Sequence, residues 1–174
     1  MGGSGPIAAA QVAPTVLPII PYPNWLALLP PQYIGLVKKF ATYSAIFTGS
    51  SVLNASATLT VPVQLNNDSD FCVLAINAMV ISTDSTTLFT YQPITIQVND
   101  SRSNTNLFTQ PELLQNVAPN AATPFYLPYP YVFDGGSNIQ TTLVNLIATT
   151  NFNVYVSYKG FKIYPTPMSQ ITSG

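Results

Sequence analysis

Phe152, Val154, Val156 and Tyr158 fall on every second residue, and a period of two puts all four side chains on one face of a pleated strand. The same alternation runs from Thr58 to Leu65. There Leu59, Val61, Val63 and Leu65 share one face, and Thr58, Thr60, Pro62 and Gln64 share the other. It restarts at Ile94, Ile96 and Val98, with Thr95 and Gln97 facing out. Pro62 has no amide hydrogen to give to a ladder, so its segment is expected at a sheet edge or a bulge. Phe71 to Ile81 is an almost unbroken apolar run and is the candidate central strand. Asp134-Gly135-Gly136-Ser137 is a run of turn formers between an apolar segment ending at Phe133 and another opening at Ile139, and it reads as a hairpin turn. Phe40 to Phe47 reads as a first strand, preceded by a candidate helix start at Tyr33 to Phe40. Pro111 to Leu114 is able to open a further helical turn. About eight strands separated by turns, with no long amphipathic helix between them, give an all-β antiparallel sandwich or barrel and argue against a parallel sheet with crossover helices.

The chain of 174 residues suits one full-sized core plus an arm. Of its 16 prolines, Pro6, Pro14, Pro18, Pro21, Pro23, Pro30 and Pro31 lie in the first 31 residues, interleaved with apolar side chains as in VAPTVLPIIPYPNWLALLPP. Proline at that density prevents a regular helix, and no stretch there reaches the roughly 20 uninterrupted apolar residues that cross a bilayer. Asn24 to Leu29 offers one short helical turn capped by Asn24. MGGSGPIAAAQ lacks the basic region of a secretory signal. Residues 1–31 are therefore expected to be an extended, polyproline-like arm, residues 32–164 the sandwich, and residues 165–174 a polar tail. Val16, Leu17, Ile19, Ile20, Tyr22 and Trp25 on the arm need an apolar surface, either on a partner or on the chain's own domain.

Charged residues make up 6% of the chain and the net charge is -1, so the surface is built from Asn, Gln, Ser, Thr and Tyr. A surface with so little repulsion suits a subunit packed among others. The five basic residues, Lys38, Lys39, Arg102, Lys159 and Lys162, make no patch for a run of phosphates, so nucleic acid is not an expected partner. The chain has no histidine, which removes the commonest proton carrier at neutral pH and the commonest zinc ligand. Cys72, alone in FCVLAI, reads as a small buried hydrophobe with no base to activate it. Asp68 and Asp70 in NNDSD lack the glycine and the bidentate Glu of a hand-type calcium loop and read as a solvated turn. Gly135-Gly136 lacks the Lys and the spacing of a phosphate loop. An enzyme, a cofactor and a small-molecule substrate are accordingly not expected.

Tyrosine joins wide contact area to a polar tip, and Tyr126, Tyr129, Tyr131, Tyr155, Tyr158 and Tyr164 crowd the C-terminal third of the chain. Core and rim packing is one reading, and a sugar-stacking platform is another. A subunit contact through Tyr126, Tyr129, Tyr131 and Tyr164 is the reading preferred.

PFYLPYPYVFDGGSNIQTTLVNL followed by NVYVSYKGFKIY resembles a pattern in small structural proteins of tailed-bacteriophage heads. The matching positions are Pro124, Phe125, Leu127, Pro128, Pro130, Asn145, Gly160, Lys162 and Tyr164, with Asp70-Phe71 at the start of the central strand. The resemblance covers about the last hundred residues and leaves out the arm. It implies a jelly-roll-like β-sandwich, located in the virion, that serves as a head decoration, cement or minor capsid protein. Its implied partners are major capsid or other virion subunits, with further copies of itself in a homo-oligomer. The alternatives are a single jelly-roll coat protein of a non-tailed virus, or a carbohydrate- or receptor-binding module of a fibre or adhesin.

Overall fold

Every alternating segment of the sequence becomes a strand in a computed structural model that describes residues 27–84, 93–118, 122 and 124–167. The strands are β1 (Leu36–Phe47), β2 (Thr58–Gln64), β3 (Asp70–Ser82), β4 (Ile94–Asp100), β5 (Thr105–Asn106), β6 (Glu112–Leu113), β7 (Phe125–Phe133), β8 (Asn138–Asn145) and β9 (Phe152–Pro167). Among the described residues, two strands are only two residues long and seven are longer. A single helical turn, Leu114–Val117, follows β6 directly. The expected turn near Pro111 therefore exists, but it starts three residues later, after a short strand.

One sheet has the order β1-β9-β3-β7 and the other β2-β8-β4-β5, with β6 also paired to β4. The pairing is nested: the first strand lies on the ninth, the second on the eighth, the third on the seventh, and the fourth on the short strands that follow it. A long antiparallel ribbon folded over on itself, with alternate strands falling into opposite layers, is the jelly roll. The two inner faces enclose one apolar core that includes Phe47, Phe71, Ile96, Phe133, Leu143 and Tyr158.

The long central strand carries an irregularity that its apolar run hides. Register on both neighbours shifts between Val73 and Ala75. Val73 pairs with Gly160 and Ala75 with Lys159, so Leu74 is the extra residue of a bulge. Core-facing positions accordingly run Phe71, Val73 and then Ile76, Ala78, Val80. On the β7 side the interruption is larger, since Val73 faces Tyr131 and Ala75 faces Tyr126. Leu127-Pro128-Tyr129-Pro130 swings free of the ladder there, as two prolines without amide hydrogens at an edge require. Pro62 likewise sits on β2, the edge strand of its sheet.

Two local expectations are corrected. Tyr33 to Phe40 does not start a helix. A 3-10 turn, Pro31–Tyr33, is capped by Ile34, Gly35 follows with φ +81, and β1 then pairs with β9 along Leu36–Phe47, a long-range ladder that outweighs local helix preference. The turn at Asp134 to Ser137 does not make a hairpin, because β7 pairs with β3 while β8 pairs with β2 and β4. It bridges the two layers instead. The Gly135 amide donates to Asp70 Oδ1 at 2.8 Å, the Gly136 amide to the Asn66 carbonyl at 3.0 Å, and Arg102 to the Gly135 carbonyl at 3.1 Å.

Candidate functional site

The outer faces of the two sheets differ in chemistry. On the β2-β8-β4 side, Thr58, Thr60, Pro62 and Gln64 are exposed along β2 beside Gln140 and Thr142 of β8, and the Thr60 and Thr142 hydroxyls meet at 2.7 Å. The outward side chains of β4 are half-buried under the segment that carries β5 and β6, where Gln97 donates to the Phe108 carbonyl at 2.9 Å. This face is an uncharged polar carpet.

The β1-β9-β3-β7 face is apolar at one end. Leu29, Cys72, Leu74, Phe161 and Ile163 form a second buried cluster on its outside, with Tyr33, Leu36 and Val132 against them. Leu29, at the root of the proline-rich segment, is 6% exposed and closes that cluster. Lys38 fixes the approach by donating to the carbonyls of Tyr33 at 2.8 Å and Leu36 at 3.0 Å. The root of the arm is thus laid on its own domain, while Val16, Leu17, Ile19, Ile20, Tyr22, Trp25 and the cap at Asn24 lie outside the described residues. Next to the cluster, Phe40 is 67% exposed although its ring meets Phe161 edge-on at 6.1 Å. Tyr126 is 55% exposed and Ile46 48% exposed. Phe40, Tyr126 and Ile46 share the outward parity of this sheet, as their partners Phe161, Ala75 and Tyr155 show.

A third surface lies along the free edge of β7. Phe125, Leu127, Tyr129 and Tyr131 form one wall of a groove of about 370 Å³, and Leu107, Phe108 and Val117 form the other. Tyr129 at its rim is 73% exposed, while Tyr131 leans on Phe133 with ring centres 4.7 Å apart.

The four tyrosines singled out in the sequence therefore separate. Tyr129 and Tyr131 share the groove, Tyr126 lies on the outer face, and Tyr164 lies beside Val37 with Lys39 and Lys162 over its ring. Tyr155 is half-buried on the outward side of β9, and Tyr158 is core. Phe40, Ile46 and Phe108 were not singled out by sequence. Phe40 carries a faint signal, an aromatic directly after two lysines on an edge strand. Phe108 carries none, because it lies in a segment whose fold is set by its neighbours.

The ionisable groups serve the frame. Asp68 accepts from the Ser69 hydroxyl at 2.8 Å and from Lys162 at 3.2 Å, and these hold its carboxyl below the usual carboxylate range, the Ser69 bond most. Asp134 pairs with Arg102 at 3.6 Å with both side chains exposed. Asp100 is buried and accepts from the Arg102 amide at 3.0 Å and the Ser103 hydroxyl at 2.9 Å, closing its own turn. Burial pushes the Cys72 thiol up to about 12. Among the described residues no group of three or more His, Cys, Asp or Glu comes together, and no helix is long and apolar enough to cross a membrane.

No protein-family model matches the chain, and no curated protein matches it. A solved chain titled "Cyanophage Pam1 capsid asymmetric unit" is similar at a TM-score of 0.40 and 20% identity, over 74% of this chain and 86% of that one. A likeness of that size assigns no function.

Proposed function

We propose that the protein is a non-enzymatic virion structural subunit. Its β1-β9-β3-β7 face docks on neighbouring capsid subunits, and the proline-rich arm passes onto a neighbouring subunit. The carrying observation is the difference between the two outer faces: Phe40, Ile46 and Tyr126 stand exposed on one, and the other presents threonine and glutamine. Exposed apolar side chains, set around Thr42, Ser44, Ser157 and Lys159 and beside a buried cluster, suit a contact surface, and an uncharged polar carpet suits the side turned to water. Jelly rolls recur in capsid shells, lectins and cupins. A chain without histidine lacks the usual metal ligand of a cupin-like site.

In this reading the subunit decorates or cements a tailed-phage head, and avidity over many symmetry-related copies multiplies contacts that are individually weak. The test is retention on purified particles. Removal of residues 1–26, or Phe40→Ser with Tyr126→Ser, is expected to deplete the particles of this subunit. Unchanged occupancy in both variants would overturn the docking assignment. The nested strand pairing also suits a subunit that builds the shell itself. Particle sizing of the chain expressed alone separates the two roles, since only a shell-former closes into complete shells without another capsid protein.

A further inference from the structure

The groove at the free edge of β7 has a lining that matches one kind of ligand. Tyr129, between Pro128 and Pro130, stands with Tyr131 on one wall, Phe108 and Val117 face them, and Glu112 is the charged residue among those that line it. Aromatic troughs of this kind take extended proline-rich segments. A polyproline II strand is already ordered before binding, and its proline rings lie flat on aromatic rings. The chain carries such a segment, PTVLPIIPYP from Pro14 to Pro23, uncharged throughout and spaced Pro18-Ile19-Ile20-Pro21 at its centre.

We infer that the groove receives Pro18 to Pro23 from a second copy of the chain. This rests on the reading that the arm joins subunits, and it names the surface that receives it. The dimensions are compatible: Pro18 to Pro23 in polyproline II spans about 16 Å, which fits along the β7 wall from Phe125 to Tyr131, at most about 20 Å. The origin of the arm agrees as well. Leu29 is seated on the outer face of its own β1-β9-β3-β7 sheet, so the chain upstream of it starts from the face assigned to the neighbour. From Ala27 back to Pro18 the reach is about 28 Å, enough to enter the groove of a subunit packed against that face.

Sedimentation velocity of the full chain over a concentration series tests this. Association that grows with concentration is expected, and excess synthetic peptide Pro14 to Pro23 should dissolve it. Tyr129→Ala, and separately Pro18→Ala with Pro21→Ala, should move the midpoint about tenfold or more to higher concentration. Leu146→Ala, which removes an exposed side chain outside the groove, should leave it in place. A monomer at every concentration, association indifferent to the peptide and to the groove variants, or an equal loss in Leu146→Ala would each overturn the inference. If removal of residues 1–26 abolishes particle retention while Tyr129→Ala changes nothing, the arm keeps its role and the groove loses it. If retention survives that removal, the reading beneath the inference fails first.

Discussion

Tyr158 of β9 and Thr141 of β8 meet hydroxyl to hydroxyl at 2.6 Å in the fully buried interior, a hydrogen bond that ties one sheet to the other. Burial pushes the Tyr158 hydroxyl well above the usual tyrosine range, with Thr141 pulling it partly back, so the group stays protonated wherever the fold persists. The bond gives each buried hydroxyl oxygen a partner inside the core. Thr141→Val therefore leaves the tyrosine oxygen unpartnered and is expected to lower stability by about 2 kcal/mol. Tyr158→Phe should do the same to the threonine. The double variant should lose less than the sum, since both polar groups are then gone, and urea unfolding of the four proteins measures the coupling.

Gly160 allows the bulge at Leu74. A Cβ on it would fall on the carbonyl group of Cys72, which is backbone and cannot turn aside. Gly160→Ala is expected to cost about 3 kcal/mol. Gly35 is a useful contrast, because a Cβ there meets nothing within 4 Å and only its φ of +81 resists. Gly35→Ala should cost about 1 kcal/mol, and the ranking of the two midpoints in urea checks the argument.

Asn145, at the end of β8, is buried and pins two loops. Its Nδ2 donates to the carbonyls of Asn54 at 3.0 Å and Thr150 at 2.8 Å, and its Oδ1 accepts from the Ile147 amide at 2.9 Å. Asn145→Asp keeps the shape, removes both donors and sets a carboxylate against two carbonyl oxygens. A loss of about 3 kcal/mol is expected, and it should shrink at acid pH, where the protonated acid regains one donor. Thermal melts at pH 7 and pH 4 read both effects.

Asp68 makes stability depend on acid. Its carboxyl is depressed by the Ser69 hydroxyl first and by Lys162 after it, so the native state takes up this proton less readily than the unfolded chain. The contribution is fully present above the ordinary aspartate range and is lost as the pH falls below about 4 through the depressed value. Asp68→Asn should therefore melt below the parent at pH 7 and converge with it near pH 2. A gap that persists unchanged into acid would contradict the assignment.

Cys72 is expected to resist thiol reagents at pH 8 while the protein is folded, because burial raises its thiol to about 12 with only a partial counter-pull from Lys38. Denaturation in urea should expose it to rapid reaction, and the rate in the native state should follow the opening of the outer cluster that holds it.

Several elements are legible in the sequence because their side chains repeat at a period that one kind of backbone matches. Phe152 to Tyr158, Leu59 to Leu65 and Ile94 to Val98 declare strands with one buried face, and Pro62 declares an edge. The fully apolar run from Phe71 to Ile81 declares burial on both faces but conceals the bulge at Leu74, since a parity change between two apolar faces leaves no trace in composition. The candidate contacts were legible only in part. Tyr129 and Tyr131 could be named, but their separation from Tyr126 and Tyr164 depends on a ladder broken at Pro128 and Pro130, and Phe108 enters the groove through a loop without pattern.

The sequence by itself determined that the chain forms strands, where most of them run, and that its surface carries almost no charge, because alternation and composition are local quantities. Tertiary structure alone decided that Asp134 to Ser137 crosses between layers, that Tyr33 to Phe40 extends instead of coiling, and that one sheet carries an apolar cluster at one end of its outer face. Those outcomes follow from pairings between residues far apart in the sequence, such as Phe71 with Phe133 and Phe40 with Phe161. The free energy of a ladder that long is set by the partner strand, which no local reading of either segment contains.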